Sequence, residues 1–387
     1  MVKPEFKPFK INVDRAERFK VFSGKKEFID FSGAAMTAGY NFIKKEWLVP
    51  TASKLVFENN YTRELTNRLK TISGFENVAF TNSGTESCDF ALTRFGSPFF
   101  ALEGAYHGIT FITDRVSNGT GYDEKNDIMH LKVPTSKLEV KDSIARNERL
   151  IEKAKSKTKN GSLIIELIQS DGGVRTIPRE YFQYLEYLRD RFHLKLIVDE
   201  VYTGYGRSGY LLLSKEFDVK PDMICLGKGM AAGLPLGAIL YNGEWESPNN
   251  QVLTMLGGNM LSARVSVEVL NALDEVTLKN VRKSGAEIIK RLRNSKNQHV
   301  SDVRGIGFMI GVEFKDNNGT PDTRYAYLIR ERLVKKGVVC TLTGENNNVL
   351  KVTPPPLIDA ETLETGVQRI EDVLNENQKI HSTHSQK

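Results

Sequence analysis

The chain has 387 residues, more than one hydrophobic core ordinarily holds, so two lobes or a large domain with a smaller companion are expected. Hydrophobic residues at 40% and charged residues at 26% are ordinary globular values. The 54 basic and 48 acidic residues leave a surplus of only 6, which singles out no nucleic-acid partner. The densest basic stretch, Lys153 to Lys159, reads as a solvated helix end or loop. Three cysteines (Cys88, Cys225, Cys340) show no CxxC pairing, which disfavours a disulfide framework and a zinc or other metal site and fits a reducing compartment. The first ten residues carry no apolar signal core. The longest apolar run, Met230 to Tyr241, is short for a membrane span and contains Gly and Pro. A cytoplasmic protein with no membrane or nucleic-acid partner is expected.

In chain order, Asn77 to Thr81 reads as a short strand, and a helix should start near Thr85. Ser83 and Glu86 have capping-box spacing, so the amides of Gly84 and Thr85 should be free donors aimed at an anion; a phosphate fits there, and so does a plain helix cap. Ser162 to Glu166 is a strand, Tyr181 to Phe192 has helical spacing, and Leu194 to Val198 and Met223 to Leu226 are buried strands. This βαβα rhythm predicts an α/β fold with a mostly parallel sheet and helices on both faces, which binds ligands at the carboxyl ends of its strands. After about residue 260 the pattern changes to a long amphipathic helix over Leu261 to Leu278. A mixed tail follows, in which Val303 to Phe314 and Gly337 to Val352 look like strands. The expected division is 51–275 for the large domain, with 1–50 and 276–387 forming the small one; the polar last ten residues should fray.

Two residues stand out at strand ends. Asp199 closes an apolar run, where a carboxylate needs a cationic or hydrogen-bonding partner; a protonated pyridine nitrogen is one, a structural salt bridge or helix cap another. Tyr202 follows within reach of a cofactor's phenolic oxygen. Lys228 lies in the least polar stretch around any lysine of the chain, where desolvation should lower its pKa and make it a Schiff-base nucleophile; Gly227 and Gly229 would let other backbone come close. Gly204 to Gly209 matches GxGxxG, but five residues including two acids separate it from its strand, which argues against a dinucleotide turn. Gly305 to Gly311 has the wrong spacing and reads as strand.

Together these segments resemble the class III (omega) aminotransferases, pyridoxal-5′-phosphate (PLP) enzymes of fold type I. The matching stretches are Thr81–Glu86, Tyr106–Gly108, Glu166–Gln169, Asp199–Gly209, Pro221–Ala238, Gly257–Asn259, Val303–Gly305 and Pro354–Leu357. Lys228 lies 29 positions after Asp199 within them. The resemblance implies a large domain with a seven-stranded type of sheet and a small domain built from both termini. It implies PLP on Lys228, which also shuttles the substrate proton, with Asp199 as the pyridinium partner. Ser83, Gly84 and Thr85 fall at the phosphate, Tyr106 stacked on the ring, Val201 behind it, and His107 and Tyr202 among the cofactor contacts. It further implies homodimers with active sites at the interface. Met255 replaces the threonine that would reach the partner's phosphate, with Thr254 one place early. Asp171 stands for a glutamate and Lys351 for an arginine that grips a substrate carboxylate; with Glu166 they form the expected substrate contacts, Asp171 and Lys351 pairing as a weaker clamp. The reaction so implied is transamination from an amino acid or ω-amine to a 2-oxo acid such as 2-oxoglutarate, with racemase, epimerase or aminomutase chemistry on the same site as the alternative. A catalytically idle binding protein and a dehydrogenase fit the intact lysine, aspartate and phosphate loop less well.

Overall fold

The apolar runs that read as buried strands line up side by side. The computed structural model describes residues 9, 11–34, 36–51, 58–153, 161–243 and 254–376. Among these, an eight-stranded sheet runs in the order Asn77–Thr81, Gly237–Tyr241, Met223–Leu226, Lys195–Asp199, Ser162–Glu166, Phe99–Leu102, Ile128–Leu131, Gly121–Asp123. The five strands from Met223–Leu226 to Ile128–Leu131 are mutually parallel, and antiparallel strands flank them on both sides. The sheet is thus mostly parallel, with eight strands where seven are expected.

Alternate residues of each strand feed different cores, as a sheet covered on both faces requires. Ile164, Ile197, Met223 and Cys225 meet Cys88, Ala91 and Leu92 of the helix Gly84–Phe95. Leu163, Ile165, Leu196 and Val198 meet Tyr181, Leu185 and Leu188 of the helix Arg179–Phe192 on the opposite face.

A separate core gathers Ile29 and Phe31 with residues from Val281 to Leu374. It lies over the antiparallel sheet of Val300–Ile306, Met309–Phe314, Val349–Val352 and Thr341–Thr343. The N-terminal strand Lys26–Asp30 joins this region by pairing parallel to Val338–Val339.

Three expected elements differ. The helix over Leu261 to Leu278 is two helices, Met260–Ala272 and Glu275–Arg293, because Asp274 caps the second and accepts the Thr277 amide at 2.7 Å. The Val303 to Phe314 run folds back as a hairpin around Gly307, whose φ is +56°; a Cβ there would sit 2.5 Å from the Ser208 carbonyl carbon. The Gly337 to Val352 segment holds three short strands. The GxGxxG stretch is a string of turns followed by a four-residue helix, Leu213–Glu216, and its buried Arg207 donates to the carbonyls of Met36, Thr353 and Pro354. The first eight residues, the basic run beyond Lys153 and the last ten residues lie outside the described part.

Candidate active site

Parallel register sets Glu166, Asp199 and Cys225 side by side at the carboxyl ends of their strands, the side on which sheets of this kind bind ligands. Asp199 is only 6% exposed. Its Oδ1 accepts the Val201 amide at 3.0 Å; its Oδ2 meets His107 Nδ1 at 2.9 Å and accepts the Cys88 thiol at 3.4 Å. The His107 amide is tied to Ser117 Oγ at 2.9 Å, which fixes the ring's root, and its buried Nε2 has no partner. Asp199 therefore has the hydrogen bonds burial demands, and still offers lone pairs toward the crevice.

Glu166, also buried, accepts the amides of Tyr106 at 2.9 Å and Ser170 at 3.2 Å. Burial, then the Asp199 charge, hold its carboxyl well above the usual carboxylate range, against the pull of the two amides. A raised value means the fold favours the neutral form. That contribution to stability is complete below the ordinary glutamate range and is lost as pH rises through the raised value. Glu166→Gln, which cannot ionise, should therefore gain in melting temperature over the parent as pH climbs, by up to ~4–8 °C per kcal/mol in a small domain and less in a chain of this size. Parallel melting curves across the pH series would contradict this.

The helix Gly84–Phe95 begins beside these carboxyls. Ser83 caps it, accepting the Glu86 amide at 3.2 Å, while the Glu86 carboxylate accepts the Asn82 amide at 2.8 Å. Helix geometry leaves the Gly84 and Thr85 amides without intrahelical acceptors. The glycines here have no room for side chains: a Cβ on Gly84 would lie 2.5 Å from the Val201 methyls, and one on Gly227 2.8 Å from Gly84 Cα. Thr254 accepts the Asn82 side-chain amide at 2.5 Å, next to this cap.

Lys228 follows the strand Met223–Leu226 with φ at +38°, a conformation that a non-glycine residue holds only under constraint. Its neighbours Leu226 and Met230 are buried, but Lys228 itself is exposed. The left-handed backbone at this position turns the side chain out of the apolar layer. Its Nζ stands 4.9 Å from the centre of the Tyr202 ring, and Lys351 Nζ stands 5.1 Å from the same centre. The Tyr202 hydroxyl is buried and makes no hydrogen bond of good geometry; the adjacent Thr353 hydroxyl donates to Phe31. Burial pushes the Tyr202 phenol up, but the charges of Lys351 and Arg207 outweigh it and leave the phenol below its usual value. Lys351 reaches Asp171 Oδ1 at 3.2 Å and Ser170 Oγ at 3.3 Å, so the expected pair exists. Tyr106 is half-buried, beside Glu166.

The contacts join Asp199 to His107, Gly84 to Val201, Glu166 to Tyr106, and Lys228 through the Tyr202 ring to Lys351 and Asp171, while Thr254 meets Asn82 beside the Ser83 cap. Sequence reasoning missed Cys88, Ser170 and Arg207. Their partners lie 111, 181 and 147 positions away in the chain, and no local spacing signals them.

The glycine cradle, the free amides, the lysine and the held carboxylate suit PLP's phosphate, aldehyde and ring nitrogen. Comparison with known proteins agrees. A family profile described as aminotransferase class-III matches residues 43–374. An acetylornithine aminotransferase of Haemophilus ducreyi is 29% identical over 92% of this chain and 91% of its own length. An alanine/serine racemase of Pyrococcus horikoshii is also 29% identical, over 90% and 82%. The PLP-bound amine transaminase of an uncultivated Pseudomonas species superposes with a TM-score of 0.81 at 22% identity, covering 95% of each chain. With its crevice at the carboxyl ends of a mostly parallel sheet and the profile spanning most of its length, this chain belongs to the class-III aminotransferases, a family of PLP-dependent enzymes.

Proposed function

We propose that the chain moves an amino group from an amino acid or ω-amine to a 2-oxo acid, with PLP held on Lys228. The observation that carries this is the close packing at the start of the helix Gly84–Phe95: Gly227, next to Lys228, and Val201, two residues after Asp199, both lie against Gly84. PLP supplies an aldehyde carbon and an electron sink. Gly84 and Thr85, with the Ser83 cap, would hold the phosphate, and Asp199, oriented by His107, would keep the ring nitrogen protonated. Tyr106 and Val201 would cover the ring, and the buried Tyr202 hydroxyl would serve the phenolic oxygen. With PLP bound, the Lys228 amine would be the group placed to take the proton from the substrate's Cα and to return it to the cofactor's aldehyde-derived carbon, on the far side of the bridging nitrogen.

Lys351 is the substrate-carboxylate amine, with Asp171 as its resting counter-ion and Glu166 as the anchor of Ser170 beneath it. Lys351→Ala should raise KM for amino-acid donors roughly 10- to 100-fold, the loss of one charge-assisted contact, with a smaller change in kcat. Steady-state kinetics on a carboxylated donor and on its decarboxylated amine check this: an unchanged KM ratio between the two would contradict it.

The large domain is assigned to 51–275 and the small one to 1–50 with 276–387. A homodimer with shared active sites is supported by exposed apolar residues flanking the crevice, Ile109 (76%), Phe111 (70%) and Leu256 (50%). Three buried free cysteines fit a cytoplasmic setting.

Racemisation is the second reading, favoured by relatives named alanine/serine racemase and leucine/methionine racemase at the same 29% identity as the acetylornithine enzyme. One experiment separates the two. PLP-loaded protein is offered a panel of L-amino acids and ω-amines, first alone and then with 2-oxoglutarate or pyruvate. Turnover that needs the oxo acid supports transfer; catalytic formation of the D-amino acid without it supports racemisation; neither, with every donor, overturns both.

A further inference from the structure

Cys88 and Cys225 are fully buried, and the chemistry proposed above uses neither. Cys88 sits in the second turn of the helix Gly84–Phe95, four residues after Gly84 and so on the same helix face. Its Sγ donates at 3.4 Å to Asp199 Oδ2, the oxygen that also meets His107 Nδ1 at 2.9 Å. Cys225 stands beside Asp199 in the sheet and shares a core cluster with Cys88. The neighbouring Cys225 thiol, burial and the Asp199 charge hold the Cys88 thiol well above its ordinary range. It is therefore a neutral donor at working pH, not a nucleophile.

We propose that Cys88 is a positioning residue for Asp199: one rigid helix carries the phosphate-facing amides in its first turn and, a turn later, the thiol that locks Oδ2 against His107. The inference rests on PLP being the cofactor. Two ends of one ligand are then placed by one element, so the distance between the phosphate cup and the ring-nitrogen carboxylate is set by helix pitch rather than by loops. A thiol suits the task because it is a weak donor. It fixes the oxygen's direction yet withdraws little of the negative charge that the ring nitrogen needs, whereas a hydroxyl at the same place would withdraw more.

The test uses the full-length protein loaded with PLP and two variants, Cys88→Ala and Cys88→Ser. Both lose the sulfur's volume, so the melting temperatures of the PLP-free proteins should fall alike; only serine keeps a donor. Expected is PLP release roughly 3- to 10-fold faster from Cys88→Ala than from Cys88→Ser, the size of one neutral hydrogen bond. The pH midpoint of the visible cofactor band should shift in both variants, since the donor is gone in one and stronger in the other. Equal release rates with unshifted midpoints would overturn the proposal, as would release that merely tracks the melting temperatures. If the parent protein takes up no PLP, the cofactor assignment itself falls. If it does and the variants behave alike, only the role of Cys88 falls.

Discussion

Replacing Lys228 by alanine is expected to abolish transamination, lowering turnover by at least about 10³-fold, because the proposed assignment makes covalent holding of the cofactor and proton transfer at Cα depend on this one amine. Among the described residues, Lys351 is the other ammonium at the Tyr202 ring, and it is engaged with Asp171 at 3.2 Å and Ser170 at 3.3 Å. The variant should still fold. Lys228 is exposed and leaves no cavity, and the strained φ of +38° at this position persists with alanine at no greater penalty. It should bind PLP without the absorbance of the lysine-linked form. Full activity with native absorbance would contradict the assignment.

The second large effect is expected at Asp199. Asp199→Asn keeps the shape and the Val201 amide contact but removes the charge that stabilises a protonated ring nitrogen. The loss in kcat should be roughly 10²- to 10³-fold, the scale for removing one preorganised electrostatic contact. His107 and Cys88 both present to Oδ2, so the asparagine is held in one of two amide orientations and its NH₂ cannot satisfy both neighbours. PLP retention should fall as well. Pre-steady-state measurement of the donor half-reaction isolates the step; an unchanged half-reaction rate would show that the carboxylate serves the fold and not the ring.

Much of this was legible because the chemistry sits where apolar strands stop. Asp199 and Lys228 follow the runs Leu194 to Val198 and Met223 to Leu226, and the Ser83–Glu86 spacing marks a helix start in any globular protein. What the sequence could not show is which way a side chain leaves its segment. Lys228 sits in apolar surroundings along the chain, yet a left-handed backbone turn delivers it to the crevice. The break at Asp274 was hidden because apolar spacing continues across it, while capping depends on one local hydrogen bond to Thr277. The anchors of the site were hidden for another reason. Arg207 clamps carbonyls from residues 36, 353 and 354, and Glu166 supports Tyr106 across 60 positions; such contacts exist only once the strands are in register.

The central claim is tested most directly by incubating the purified protein with PLP, reducing it with borohydride and mapping the labelled peptide. The account predicts a visible absorption band that reduction bleaches, and one pyridoxyl group on the peptide that carries Lys228. A protein that takes up no cofactor, or one labelled on another lysine, would contradict it.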